Sequence, residues 1–327
     1  MKVVVTGSAG HLGEGLVRVL SDTSHQVVSV DRVASPYTSQ VGSITDRAFV
    51  RKCLKGADAV MHAATLHKPH VATHSRQAFV DTNMTGTLNL LEEAVEAGVA
   101  SFVFTSTTSV FGRALTPAPE EATAWITEDV RPVPKNIYGV TKAAAEDLCE
   151  LFHRQYRLPC LILRTSRFFL EEDDDPGVRA RYPDANIKVN EYLYRRVDLQ
   201  DVVDAHLLAM NKAKAVGFGR FIISATTPFQ TADLTELRAA APRVVQRYVP
   251  EYQAEYARRG WAMFPGLDRV YVNASARQVL GWQPRYDFRR AIDALQAVED
   301  FRSPLARAVG VKGYHHRSFE QGPYPVA

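Results

Sequence analysis

The sequence predicts an α/β fold, a doubly wound parallel sheet with helices on both faces and a smaller, discontinuous C-terminal domain. Short β-branched runs alternate with helical patterns, a glycine turn joins the first run to the first helix, and the alternation loosens past residue 165. Each parallel pairing needs a crossover, and repeated βα units of this length supply it with helices. Residues 2–6 are a β-branched run ended by glycine, 11–20 carry a helical period, and 26–30 form the second apolar run. The pattern continues with strands at 57–64, 101–105 and 159–164 and helices at 76–97 and 138–156. Beyond an acidic loop at 171–175 and a Tyr- and Arg-bearing stretch to 196 come a helix near 200–214, a strand at 218–224 and short helices, the last clear one at about 287–301. Residues 1–165 plus 197–224 therefore read as one domain, and 166–196 plus 225–327 as the smaller. The tail after Pro304, with Tyr314, His315, His316 and Pro323, has no helical period and is expected to wrap a surface.

Composition excludes several classes. The 327 residues are 46% apolar and 23% charged, which rules out disorder and collagen. Lys and Arg total 39 against 36 Asp and Glu, a charge of +3, too slight to imply a nucleic-acid partner. Three cysteines, Cys53, Cys149 and Cys160, are odd in number and lack metal-ligand spacing, so neither a disulfide framework nor a metal site is expected. A reducing, cytoplasmic setting is expected. The N-terminus has no signal-peptide pattern, and no stretch reaches the roughly 20 apolar residues of a membrane helix.

Residues 6–13, Thr-Gly-Ser-Ala-Gly-His-Leu-Gly, sit between the first strand and first helix, where a Rossmann-type sheet binds a dinucleotide. Gly7, Gly10 and Gly13 suit a tight turn and close backbone approach, with a pyrophosphate at the helix N-terminus. A plain tight turn would also use glycines. Asp31, however, ends the second strand 18 residues after Gly13. A carboxylate there accepts from both ribose hydroxyls and repels a 2′-phosphate, favouring NAD over NADP. Arg32 could tolerate that phosphate.

Tyr138 and Lys142 are i and i+4 at the start of a helical pattern and so share one face. A phenol is a poor base at neutral pH unless nearby positive charge favours its phenolate, so the pair suits general acid/base work beside a cationic nicotinamide. Without a cofactor motif upstream, a surface aromatic–cation pair would be the better reading. Thr105-Ser106-Thr107-Thr108-Ser109 ends a parallel strand, where ligands bind, and offers hydroxyls for a substrate oxygen.

Together these motifs resemble the extended short-chain dehydrogenase/reductases of the NAD-dependent epimerase/dehydratase family, which includes UDP-galactose 4-epimerase. The resemblance rests on residues 6–13, Asp31, 42–46 (GSITD), 62–64 (HAA), 83–94 (NMTGTLNLLEEA), 102–112 (FVFTSTTSVFG), 138–142 (YGVTK), 197–210 (VDLQDVVDAHLLAM) and 280–288 (LGWQPRYDF). It implies that Gly7, Gly10, His11, Leu12 and Gly13 admit the pyrophosphate, Asp31 and Arg32 meet the adenosine ribose, and Ser43 and Ile44 border adenine. It further implies that Ala63, Ala64 and Thr105 line the cofactor, Asn83 braces the strand beside it, and Thr165 approaches the nicotinamide. Thr107 falls at the catalytic Ser/Thr position, Tyr138 would be the acid/base, and Lys142 would lower its pKa and bind the nicotinamide ribose. The family commonly dimerises through the helices at 76–97 and 138–156, implying a homodimer.

This chain departs from the family where substrate is read. Arg167 stands where relatives carry Asn, Tyr194-Arg195-Arg196 replaces Arg-Asp-Tyr, and the late phosphate-reading arginine falls near Ala262 and Met263. Arg195, Arg196 or Arg269 is expected to substitute, since arginine forks suit phosphate or carboxylate. His67 and Lys68 lie in a loop facing the site and are expected at the substrate with Thr107, Thr108, Ser109 and Arg167. His67, His70 and His74 have helical spacing but no cysteine or obvious carboxylate, so substrate contact is preferred to a solvated loop or a metal.

The expected activity is NAD-dependent oxidation or reduction of a secondary alcohol on a sugar or nucleotide sugar, as an epimerase with a transient ketone. An NAD-dependent dehydrogenase of a smaller anionic sugar or polyol is the alternative, and a non-catalytic NAD-binding redox sensor is the second. Dehydration is disfavoured, because Thr108 and Ser109 stand where dehydratases carry an Asp-Glu pair and cannot do carboxylate work at neutral pH.

Overall fold

In the computed structural model, which describes residues 1–313, seven parallel strands form one sheet. The strands in chain order are β1 (Lys2–Thr6), β2 (Gln26–Asp31), β3 (Gln40–Val41), β4 (Ala59–His62), β5 (Ser101–Thr107), β6 (Ala124–Ile126), β7 (Cys160–Thr165), β8 (Phe218–Ile223) and β9 (Arg269–Tyr271). The sheet runs β3-β2-β1-β4-β5-β7-β8, while β6 and β9 pair separately, also in parallel. Strand order reverses between β1 and β4, the switch point at which such sheets open a crevice for ligands.

The helices are α1 (His11–Ser21), α2 (Arg47–Leu54), α3 (Arg76–Phe79), α4 (Gly86–Glu96), α5 (Ile137–Tyr156), α6 (Pro176–Arg181), α7 (Asp184–Glu191), α8 (Leu199–Val216), α9 (Leu234–Tyr248), α10 (Tyr252–Arg259), α11 (Ala274–Leu280), α12 (Phe288–Gln296) and α13 (Pro304–Val309). Alternate strand residues face opposite layers. Val3, Val5, Met61, Val103 and Leu161 pack with Leu16 of α1 and Val202 of α8, whereas Val4, Val60, Phe102 and Ile162 meet Leu54, Leu90 and Cys149 from α2, α4 and α5. A second core joins Tyr192, Val244, Tyr256, Val270, Phe288 and Ile292. Ala276, Leu280, Trp282, Ala306 and Val309 belong instead to the sheet's core, although they follow the expected boundary at 225.

Other expectations change in detail. The single helix expected at 76–97 is broken by a π-helical turn, Val80–Thr85, which swings Asn83 inward to a buried position. The helix expected to reach 301 stops at Gln296, and Val298 has φ 59°. The tail expected to be irregular contains α13, capped by the Ser303 side chain, which accepts from Ala306 N; Tyr314, His315, His316 and Pro323 lie outside the described residues. No helix among the described residues is long and apolar enough to cross a membrane.

Candidate active site

A cavity of about 720 Å³ opens along the carboxyl ends of the strands. At one end, Gly7 turns with φ +78°, and its N–H donates to Val30 O at 2.8 Å. A Cβ on Gly7 would lie 2.7 Å from Ala64 N, and one on Gly13 would lie 1.9 Å from Gly7 O. Only glycine lets the turn, α1 and the end of β4 close together here. Gly10 is the N-cap of α1 and provides no side-chain cap, which leaves first-turn N–H groups for an anion. Asp31 accepts from Ala9 N at 3.0 Å and Val33 N at 2.9 Å, fixing its carboxylate at the cavity edge. Arg32, Ser43 and Ile44 continue that wall, with His11, Leu12, Ala63 and Ala64 opposite the turn.

At the middle of the cavity stand Thr105, Thr107, Thr108, Ser109, Tyr138 and Thr165. Asn136 caps α5 by accepting from Gly139 N at 3.1 Å, and this start presents Tyr138 to the cavity with Lys142 one turn further along. Burial pushes the Tyr138 phenol up to about 12, against a smaller opposing effect of the Thr107 hydroxyl, which favours the phenolate. Burial also pulls Lys142 down to about 7. In the protein alone burial sets the direction of the Tyr138 shift, and Lys142 is not among its causes. Lys142 Nζ donates to Thr105 O at 2.6 Å and lies 3.9 Å from the Phe104 ring centre, behind the cavity wall. Thr165 donates its hydroxyl to Ser106 O at 3.0 Å, so that donor is directed into the sheet.

Asn83 braces a loop, not the strand it was expected to brace. Its Oδ1 accepts from Leu66 N at 2.8 Å, and its Nδ2 donates to Leu66 O at 2.9 Å and Thr141 Oγ1 at 3.0 Å. The loop so held carries His67, Lys68, His70 and His74 along the cavity wall. Adjacent imidazoles of the three meet edge to face, with centroids 4.7 and 4.9 Å apart. Among the described residues, no His, Cys, Asp or Glu cluster could hold a metal.

The far end is charged but largely compensated. Arg167 pairs with Asp173 at 2.7 Å, Arg195 with Asp173 at 2.9 Å and Glu191 at 2.8 Å, and Lys68 with Asp174. Arg269 pairs with Asp268 at 2.8 Å. The Arg195 and Arg269 guanidiniums lie 5.3 and 5.6 Å from the Tyr194 ring centre. Burial would raise the Glu191 carboxyl, yet Arg196, Arg195 and Arg167 together hold it down to about 2. Arg196, expected at the substrate, is 3% exposed, donates to Glu191 at 2.7 Å and to Phe169 O at 3.0 Å, and does not line the cavity. Its neighbour Arg195 takes that place because successive side chains leave the chain in different directions.

Sequence reasoning missed Ser166, Phe168, Phe169, Tyr271, Lys312 and Gly313 in the cavity wall. Ser166 and Phe168 flank the arginine that was singled out, a usable signal; Lys312 and Gly313 carried none.

The profile of the NAD dependent epimerase/dehydratase family matches residues 3–223. A UDP-glucose 4-epimerase of Streptococcus mutans is 27% identical over 326 residues, covering 88% of this chain and 93% of that protein. A short-chain dehydrogenase/reductase superfamily protein of Agrobacterium tumefaciens, solved with bound NAD, superposes with a TM-score of 0.66 at 24% identity, covering 91% of this chain and 97% of that one. The UDP-glucose 4-epimerase of Thermotoga maritima, solved with UDP-glucose, gives a TM-score of 0.62 at 23% identity, covering 91% and 99%.

Proposed function

The chain belongs to the NAD dependent epimerase/dehydratase family, and on that premise we propose that it uses NAD to oxidise and re-reduce a secondary alcohol of a sugar nucleotide, as an epimerase. The observation that carries the reading is the placement of Thr107 and Tyr138 in the same cavity as the glycine turn and Asp31. The residues fit the dinucleotide: the Gly7 and Gly13 positions have no room for a side chain, and α1 offers its first-turn N–H groups.

Bound NAD supplies the hydride acceptor, together with positive charge near the phenol. Thr107 holds the substrate oxygen, and Tyr138 takes its proton as the C–H hydride leaves. Reduction of the ketone on its opposite face would invert the carbon, with Tyr138 returning the proton to the oxygen that Thr107 holds. Lys142, anchored on Thr105 O, keeps positive charge behind the phenol. Solution as a homodimer and a cytoplasmic location belong to the same proposal, drawn from the family's habit and from the absence of any disulfide among the three free cysteines.

One observation favours a second reading, a dehydrogenase of a smaller anionic sugar. Asp173, Asp174 and Glu191 already engage Arg167, Arg195 and Lys68, which reduces the positive charge facing a nucleotide diphosphate. The test is mass spectrometry of ligand released on denaturation, beside turnover of Tyr138→Phe. Retained NAD without need of added cofactor supports the epimerase, and a requirement for added NAD supports the dehydrogenase. Recovered NADP would overturn the role of Asp31, and undiminished turnover in Tyr138→Phe would overturn the mechanism.

A further inference from the structure

Three distant parts of the chain meet at Glu171. Its carboxylate is 4% exposed, and one oxygen, Oε1, lies 2.9 Å from His11 Nε2 at the start of α1. The same oxygen accepts the backbone N–H of Lys312 at 3.0 Å and of Gly313 at 3.1 Å. Desolvation would raise the carboxyl, yet His11 and the Lys312 N–H hold it down to about 2. The side chain of Lys312 reaches across to pair with Glu14, which also holds Arg18 at 2.8 Å. Glu14 and His11 lie on either side of Leu12 and Gly13 in the first turns of α1.

The C-terminal segment is firmly led to this point. Asp198 accepts Ser303 N at 3.1 Å, and Ala306 and Val309 of α13 pack into the sheet's core. Lys312 and Gly313 then line the same cavity as Gly10 and Gly13. Two residues beyond Glu171, Asp173 engages Arg167 and Arg195 on the substrate side. One short acidic loop therefore holds the cofactor turn, the C-terminal segment and the substrate-side arginines.

We propose that Glu171 is a positioning residue for the cofactor: through His11 and the N–H groups of Lys312 and Gly313 it clasps residues 310–313 beside the pyrophosphate slot, and this wall slows the release of NAD. The proposal rests on the reading that the cavity takes NAD. A carboxylate is suited to the task because its negative charge strengthens each bond that Oε1 accepts, whereas an amide of the same shape keeps the oxygen but loses the charge. The segment does not replace the helix N-terminus as the phosphate binder; it restricts departure from it.

The test follows NADH displacement by stopped-flow fluorescence and amide exchange at Lys312 and Gly313. Glu171→Gln is expected to release NADH about tenfold faster, a loss of about 1.4 kcal/mol, while adenosine, which has no pyrophosphate, binds it as it binds wild type. In wild type, saturating NAD is expected to slow exchange at both amides, a measurement that needs no variant and that a purely structural contact would not produce. Unchanged exchange with NAD bound, or wild-type release from a folded Glu171→Gln, overturns the clasp and leaves the cofactor reading standing. Wild-type protein that neither retains NAD nor, once stripped of bound nucleotide, takes it up overturns both.

Discussion

Lys142 places its ammonium on the carbonyl oxygen of Thr105, 2.6 Å away, while the Thr105 hydroxyl meets His206 Nε2 at 2.8 Å. His206 Nδ1 donates to Val202 O at 2.8 Å, and burial pulls this imidazole down to about 4, so it is neutral and its Nε2 accepts. The last turn of strand before the active site is thereby held from both sides, by α5 and by α8. Lys142→Met keeps the length of the side chain and removes the charge. Turnover is expected to fall by about 10²–10⁴, with circular dichroism unchanged; wild-type turnover would show that the charge is dispensable.

Thr107 bears on pH dependence. Its hydroxyl favours the charged phenolate, so Thr107→Val is expected to raise the Tyr138 pKa further. With NAD bound, the limb on which alcohol oxidation rises with pH should move to higher pH in the variant, and the rate at neutral pH should fall by about 10- to 100-fold. A pH–rate profile that keeps its limb in place contradicts this.

Beneath the sheet, Glu146 and Arg164 form a buried pair at 2.7 Å, with exposures of 2% and 3%. Ser106 also donates to Glu146. Glu146→Ala leaves a buried guanidinium short of its carboxylate and is expected to cost about 3–5 kcal/mol. Urea unfolding measures it. Replacing both partners, Glu146→Leu with Arg164→Met, should recover part of that loss, which a simple cavity effect would not.

Asp201 lies fully buried, with its two oxygens accepting Arg285 N and Tyr286 N, each at 2.9 Å. Desolvation raises its carboxyl to about 7 from an ordinary 3.8 despite those donors. The native state thus holds this proton more tightly than the unfolded chain, so the contribution is most favourable below the unfolded value and is lost as pH rises through about 7. Asp201→Asn removes that slope and costs about 1–2 kcal/mol through one lost acceptor. Urea midpoints across the range should fall more steeply with pH in wild type than in the variant.

The glycine turn, Asp31 and the Tyr138–Lys142 pair were legible because each is dictated by residues near one another in sequence: a turn that excludes Cβ atoms, a strand end, one helical turn. The charged end was less so. Arg195 and Arg196 look equivalent in sequence, and only the packing around Glu191 sends one to the cavity and buries the other. The β6–β9 pair joins a strand within the expected larger domain to one within the smaller, each of three residues and too short for any periodicity. In sequence Glu171 reads only as part of an acidic loop, because the donors that bury it come from residues 11, 312 and 313.

The π-helical turn at Val80–Thr85 has a further consequence for how this enzyme could be altered. An ideal α-helix rotates about 100° per residue, so trimming one residue from the wide turn would revolve α3 and the histidine loop against α4 while the sheet kept its register. Asn83, tied to both Leu66 and Thr141, would lose its alignment in the same stroke. The wide turn is thus a natural splice point: loops grafted upstream of it inherit their orientation toward the catalytic helix from a single amide.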